Sequence, residues 1–154
     1  MSETRHSDSP QETMKSDWVP GEVPPADEVT EAFWEASRAH RLTVQQCHAC
    51  QHVQHPPRAL CTGCGSMEHL DQVDASGLGE VDSFTVVHRA PRQHLDTPYT
   101  IARVRLAEGP ILLTRLVDRS GEEWTIGDRV EVRWTDLPDG RALPIFRPAN
   151  QETS

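Results

Sequence analysis

The sequence lacks the features that usually mark a membrane protein or a nucleic-acid-binding protein. Its 154 residues include one Tyr, three Phe and four Trp, so aromatic platforms for nucleic-acid bases are scarce. Residues 77–150 carry ten arginines and eleven acidic residues, with no basic cluster to follow a phosphate backbone. No apolar run approaches the roughly 20 residues of a membrane span. We therefore expect neither a nucleic acid nor a membrane as partner.

Catalytic motifs are also missing from the sequence. It contains no Gly-x-Ser-x-Gly elbow, no phosphate-binding glycine loop and no His-Glu-x-x-His pattern. The histidines outside the cysteine-rich segment, such as His69, His88 and His94, stand alone, and a lone histidine is more often structural than a general base. The residues themselves predict a binding module without catalytic residues or independent enzyme activity.

The sequence does contain a dense cysteine cluster, in the segment CHACQHVQHPPRALCTGCG. All four cysteines form two Cys-x-x-Cys pairs, Cys47 with Cys50 and Cys61 with Cys64. A two-residue spacer lets both sulfurs of a pair point at one centre, and two pairs make a tetrahedral thiolate site. We predict zinc as the cofactor, with iron as the nearest substitute. Four protein ligands close the coordination sphere, so the ion is expected to be structural.

Disulfides or a redox pair are the competing interpretation of these cysteines. The first 17 residues are polar and lack the apolar core of a signal peptide, which favours a reducing cytoplasm. A redox Cys-x-x-Cys normally opens a helix, whereas HPPRALC between the pairs is rich in proline. Gly63 and Gly65 suit the positive φ angles of tight turns. The neighbouring His48, His52 and His55 are interpreted as exposed or next to the ligands.

Charge and periodicity divide the chain into five segments. The net charge is −9, and residues 1–31 hold eight of the 24 acidic residues against only Arg5 and Lys15. An acidic, proline-containing composition predicts a disordered or extended tail, in which Trp18 and Val19 are the plausible anchors for a partner. The predicted segments are tail 1–26, helix 27–42 with Asp27 as its N-cap, zinc ribbon 43–76, barrel 77–149 and tail 150–154.

The second half of the sequence has the alternation of short β-strands. Five strands are predicted, at 79–88, 99–107, 111–117, 129–134 and 142–147. Five short strands joined mainly by tight turns predict a small closed barrel, either an OB-fold or an SH3-like barrel. The connection between the first two strands, 89–98, is long and contains two prolines, and it borders the ligand-binding face if the barrel is an OB-fold. Candidate ligand or partner contacts are Phe33 and Trp34 in the helix, and Arg89, Arg92, His94 and Tyr99 around this connection.

Taken together, these segments resemble a known family. The order AFWEASRAHRLTVQQC, CHACQHVQHPPRALCTGCGS, DASGLGEVDSFTVVHRAP, EGPILLTRLV, IGDRVEVRW and LPIFRPA spans about residues 30–149. It resembles the acyl-CoA-associated zinc-ribbon/OB-fold proteins known as domain of unknown function 35. The resemblance implies a mainly β fold, in which an N-terminal helix and a rubredoxin-like zinc ribbon precede a five-stranded OB-fold barrel.

The same resemblance implies a function. Proteins of this family act as non-catalytic partners of thiolase-superfamily enzymes or hydratases that process acyl-CoA thioesters. The implied partner is a thiolase, a lipid-transfer-protein-like aldolase of steroid side-chain breakdown, a hydroxymethylglutaryl-CoA synthase or an acyltransferase making acylphloroglucinols, with a CoA thioester at the shared interface. The cysteine pairs would be the ribbon ligands. One residue departs from the pattern, because Gln51 follows Cys50 where the family usually has glycine.

Two other functions stay open from the sequence. A free-standing carrier of CoA or acyl-CoA would bind the CoA phosphates through arginines such as Arg89, Arg92, Arg103 and Arg105. A single-stranded nucleic-acid-binding module is the second alternative, since zinc ribbons and OB-folds both serve that function in other proteins.

Overall fold

The computed structural model describes residues 23–90 and 96–150, and this part of the chain is mostly β-strand. A short helix and a three-stranded sheet precede a closed five-stranded barrel. A 3-10 turn, Gly121–Glu123, connects two strands of the barrel. In chain order the elements are α1 (Glu31–Arg38), β1 (Thr43–Cys47), β2 (Val53–Gln54), β3 (Leu70–Asp74), β4 (Leu78–Val87), β5 (Tyr99–Leu106), β6 (Ile111–Leu116), β7 (Arg129–Asp136) and β8 (Ala142–Pro148).

The barrel has the strand order β4-β5-β6-β8-β7 and closes between β7 and β4. All neighbouring strands are antiparallel except β6 and β8, which run parallel and are paired at Leu116 and Phe146. A bulge between Val81 and Ser83 bends β4, which pairs with β5 along its length and with β7 at its start. This five-stranded barrel confirms the OB-fold prediction over the SH3-like alternative.

Two glycines allow the chain to enter the barrel. Gly77 has a φ of +78°, and a Cβ there would lie 2.5 Å from Val132 Cγ1. Gly79 sits so close to β5 that a Cβ would lie 2.6 Å from the carbonyl oxygen of Arg105. Any larger residue would push β4 away from β5 or β7, which explains the spacing of the glycines in SGLGEV.

Helix α1 is shorter than the predicted 27–42. Asp27 Oδ1 accepts hydrogen bonds from the amides of Val29 (3.1 Å) and Thr30 (2.9 Å), so it caps the turn before the helix. At the other end the amide of His40 donates to the Ser37 carbonyl and that of Arg41 to the Ala36 carbonyl. These two bonds form a Schellman motif, with His40 at φ +53° in the position that usually holds glycine. Because no glycine marks the end, the sequence predicted a longer helix.

One hydrophobic core joins the helix, the ribbon and the barrel. Phe33 of α1 and Val44 of β1 belong to the same buried cluster as Val81, Val130 and Phe146 of the barrel. Ser37 is fully buried between them, and its hydroxyl accepts a hydrogen bond from the Ala142 amide at 3.2 Å. The helix and the ribbon therefore pack directly on the barrel.

Parts of the predicted tails lie outside the described residues, namely 1–22 and 151–154. Within residues 23–90 and 96–150, no helix has the length and apolar character needed to cross a membrane.

Candidate metal centre and adjoining groove

The four cysteines converge on one point. All four sulfur atoms lie within 4.8 Å of one another, with 3.8 Å between Cys47 and Cys64 and 3.6 Å between Cys50 and Cys61. A tetrahedral zinc site with Zn–S bonds of 2.3 Å requires sulfurs about 3.8 Å apart. A disulfide would need about 2.05 Å, and all four cysteines are free. The donor set and its spacing therefore fit a closed tetrathiolate metal site.

The two cysteine pairs form turns of the same geometry. The amide of Gln51 donates to the Cys47 carbonyl and the amide of Gly65 to the Cys61 carbonyl, both at 2.8 Å. Gln51 and Gly65 both have positive φ, +65° and +79°. The prediction of a positive φ is thus right for Gly65 and wrong for Gly63. At Gly63 a Cβ would make a tight contact instead, since it would lie 3.1 Å from His52 Cβ.

The thiols are placed so that one of them ionises readily. Burial raises the pKa of Cys61, but the amides of Cys64 and Gly63 and the neighbouring thiols more than offset this and lower it to about 6. A low thiol pKa favours the thiolate form, which is the form that binds metal.

Two buried glutamines hold the loop between the pairs. Gln54 Nε2 donates to Gln45 Oε1 (2.6 Å) and to the Leu60 carbonyl (3.0 Å), while Gln54 Oε1 accepts from the Thr62 amide (2.8 Å). Gln45 in turn binds both the amide and the carbonyl of Arg58, each at 2.9 Å. The side chains on β1 and β2 thereby replace the backbone partners that loop 55–62 lacks, and they position Cys61 opposite the first pair.

An apolar groove lies where the helix and the ribbon meet the barrel. Pro144 has no amide hydrogen to donate, and Thr114 Oγ1 donates to the Pro144 carbonyl at 2.8 Å across the separation between β6 and β8. We call the cavity of about 730 Å³ that lies beside these two strands the groove. It is lined by Thr30, Phe33 and Trp34, by residues 55–57 of the ribbon, and by residues 112–115, 117, 134–136 and 143–145 of the barrel.

His55 places a polar group in this apolar wall. Its ring lies 5.4 Å from that of Phe33, and burial lowers its pKa to about 4, so the imidazole is neutral at pH 7. Its Nδ1 atom is buried and has no hydrogen-bond partner within the described residues. His55 is partly buried in the groove wall and not exposed, whereas His48 and His52 are exposed as expected.

Arg141 connects one end of the groove to the start of the described chain. Its guanidinium lies 4.6 Å from the centre of the Trp34 ring, and its Nη2 donates to the Pro24 carbonyl at 2.7 Å. Its Nε donates to Asp139 Oδ2 at 2.6 Å, and the side chain is only 8% exposed. Sequence reasoning missed Arg141, because nothing local distinguishes it from the other arginines of the barrel.

The structure brings three of the predicted contact residues to or near the groove. Phe33 and Trp34 line it, with ring centres 5.2 Å apart. Tyr99 lies next to it, because the guanidinium of the groove-lining Arg115 is 5.5 Å from its ring centre. Arg89 is exposed in the loop after β4, and Arg92 and His94 lie outside the described residues. Sequence reasoning missed Leu113 and Trp134, which looked like ordinary strand residues.

Comparisons with known proteins identify both halves of the chain. Residues 34–69 match the family model described as the ChsH2 rubredoxin-like zinc ribbon domain, and residues 72–135 match the ChsH2 C-terminal OB-fold domain. These matches, together with the four converging sulfurs, confirm the prediction of a rubredoxin-like ribbon with structural zinc.

Relatives cover different amounts of the chain. A DUF35 domain-containing scaffold protein of Methanothermobacter thermautotrophicus is 32% identical over 94 residues, which are 60% of this chain and 71% of the relative. A probable enoyl-CoA hydratase alpha subunit of Thermomonospora curvata is 37% identical over 143 residues, 91% of this chain. The chain spans only 44% of that subunit's length. Among solved structures, a chain of the "Ltp2-ChsH2(DUF35) aldolase" is 37% identical with a TM-score of 0.76, over 83% of this chain and 100% of that one.

Proposed function

Because this chain belongs to the DUF35 family of zinc-ribbon and OB-fold scaffold proteins, we propose that it is a non-catalytic accessory subunit of an acyl-CoA-processing enzyme. The partner we propose is a thiolase-superfamily enzyme, such as a thiolase, an aldolase related to lipid-transfer proteins or an acyltransferase. The complex would work in a reducing compartment such as the cytoplasm, where thiolates stay available for the metal.

The commitment of all four cysteines to one closed site is the observation that carries this proposal. A tetrathiolate ion has no open position for water or substrate, so it stabilises the ribbon without taking part in chemistry. The full coverage of the DUF35 chain from the aldolase complex supports the same role, since that chain was solved together with an enzyme. The nucleophile and the bases would then come from the partner.

The groove is the docking surface that we propose for the enzyme. Leu113, in its wall, is 72% exposed, and the half-buried Trp34 and Trp134 lie beside it. An exposed apolar cleft flanked by tryptophans and an arginine has the composition of an interface centre. Phe33, Trp34 and Tyr99 are thus partner contacts in this proposal, and the CoA thioester would lie at the shared interface.

The structure gives less support to a free-standing CoA carrier. Arg103 and Arg105 both form ion pairs with Asp82, at 3.8 and 3.0 Å. Their positive charge, which a carrier would use to bind the CoA phosphates, is therefore partly compensated. Isothermal titration of the isolated chain with CoA separates the two functions, because micromolar binding supports the carrier and contradicts a purely accessory role.

Co-expression with the neighbouring reading frames tests the accessory role. We expect the zinc-loaded chain to elute from gel filtration with an acyl-CoA-processing enzyme, and to have no turnover when purified alone. Turnover of an acyl-CoA thioester by the isolated chain at enzyme-like rates would contradict the proposal.

A matched pair of variants tests the docking surface. Leu113→Glu places a charge in the groove, and we expect at least a tenfold loss of affinity for the enzyme subunit. Ile126→Glu is the control, because Ile126 is also an exposed hydrophobic residue, at 67%, but does not line the groove. Equal effects of the two substitutions would exclude the groove as the docking surface.

A further inference from the structure

We propose that in the free chain the groove is occupied by the segment that precedes it, residues 17–20, with the Trp18 side chain as the anchor. We call residues 17–20 the arm. This intramolecular contact goes beyond the accessory role, since it concerns the chain without its enzyme.

The groove has the size and character to accept such a segment. Its volume of about 730 Å³ falls within the range of pockets that hold a drug-sized group, and its walls are mostly apolar. Leu113 alone is 72% exposed. A protein without a partner bound rarely leaves an apolar cleft of this kind open to water.

The start of the described chain is held next to the groove. Arg141 Nη2 donates to the Pro24 carbonyl at 2.7 Å, and the same guanidinium stacks on Trp34, which lines the groove. Four residues separate Trp18 from Val23. An extended chain covers about 3.4 Å per residue, so Trp18 can reach a point about 17 Å from Val23. The arm therefore reaches the groove without any rearrangement of the barrel.

The composition of the arm suits an apolar groove. Trp18 and Val19 are adjacent large apolar residues, and Pro20 favours an extended backbone at Val19.

A buried donor beside the groove also points to this segment. Arg141 Nη1 is buried and has no acceptor within the described residues, although the side chain is only 8% exposed. A buried guanidinium nitrogen without an acceptor is costly. In this proposal the acceptor comes from the chain immediately before Val23, which contains backbone carbonyls and the Glu22 carboxylate.

Fluorine NMR of the zinc-loaded full chain labelled with 5-fluorotryptophan tests the proposal. Trp18→Phe assigns the Trp18 resonance among the four tryptophans. We expect this resonance to differ from that of a synthetic peptide of residues 10–24 and to move to the peptide position in Leu113→Glu. Ile126→Glu, the control, should leave it unchanged. Coincidence of the wild-type and peptide resonances would overturn the proposal.

Dye binding provides a second measurement, and dilution tests another occupant. We expect Trp18→Ala to increase the fluorescence of bound anilinonaphthalene sulfonate severalfold, whereas Met14→Ala, an apolar truncation outside the arm, should not. An unchanged signal in Trp18→Ala would contradict occupancy by the arm.

A Trp18 resonance that moves to the peptide position on tenfold dilution would mean that a second copy supplies the arm, which also overturns the intramolecular contact. Both measurements use the free chain, so they stay informative if no enzyme co-purifies.

Discussion

Gln51 and Gly65 occupy the same position in the two halves of the metal site. Each follows the second cysteine of its pair, donates its amide to the carbonyl of the first cysteine at 2.8 Å and has a positive φ. Glycine adopts this conformation without strain, whereas a residue with a Cβ pays about 1 kcal/mol. The two turns are therefore equal in geometry and unequal in strain.

Exchanging the residue types at these positions should reveal that difference. We expect Gly65→Gln to lower the free energy of unfolding by about 1 kcal/mol and Gln51→Gly to raise it by up to about 1 kcal/mol. Denaturant titrations at a fixed free zinc concentration measure both. Equal destabilisation by the two substitutions would mean that the strain at Gln51 is relieved by other contacts, such as the bond from its Nε2 to the His48 carbonyl.

Removing one thiolate should unfold the ribbon and leave the barrel folded. Cys61 is 1% exposed, and Cys61→Ser removes a ligand whose site stabilises the segment by on the order of 10 kcal/mol. We expect loss of bound zinc by elemental analysis and loss of partner binding, while amide signals of β4–β8 persist. Met67→Ser, at a residue 70% exposed on the same ribbon, is the control and should keep its zinc. A zinc-free variant that still binds the enzyme fully would show that the metal does not organise the docking surface.

The buried amide network should contribute to metal retention without touching the metal. Gln54→Leu leaves the Thr62 amide and the Leu60 carbonyl without their partner, at a cost of about 2–3 kcal/mol. We expect faster zinc release to a chelator and a lower unfolding free energy. Gln46→Leu, on the neighbouring strand β1 and opposite Val53, serves as the control. Equal zinc release rates in the two variants would show that loop 55–62 holds its position without Gln54.

The groove should make stability depend on pH through His55. Burial lowers its folded pKa to about 4, below the value of 6.5 for an exposed histidine, so between these two pH values the unfolded chain binds more protons. The free energy of unfolding should therefore fall as pH decreases from 6.5 towards 4, by up to about 3 kcal/mol, with no contribution above 6.5. The unfolding free energy of wild type minus that of His55→Gln, measured from pH 7 to 5, isolates this effect, because loss of zinc in acid affects both proteins. A constant difference would contradict burial of a neutral imidazole.

Local patterns were sufficient to predict the convergence of the four cysteines and the five strands of the barrel. Cys47 and Cys50 are close in the chain, and a two-residue spacer allows few geometries, so their convergence is a short-range property. The alternation in strands such as β7 likewise reflects a residue's own strand. The end of α1 was predicted less well, because the left-handed conformation of His40 goes together with contacts to distant residues, a hydrogen bond of 2.7 Å between its Nε2 and Asp136 Oδ1 and stacking on Trp134.

The sequence by itself determined which four cysteines converge on one point and which fold surrounds them, because spacing and periodicity act over a few residues. Only the tertiary structure decided where the groove lies. Its walls combine Trp34, His55, Leu113 and Ile145, which are far apart in the chain and meet because the helix and the ribbon pack on the barrel through one shared core. The burial of His55 and the contacts of Arg141 with Trp34 and the Pro24 carbonyl depend on this packing, and no local pattern encodes either.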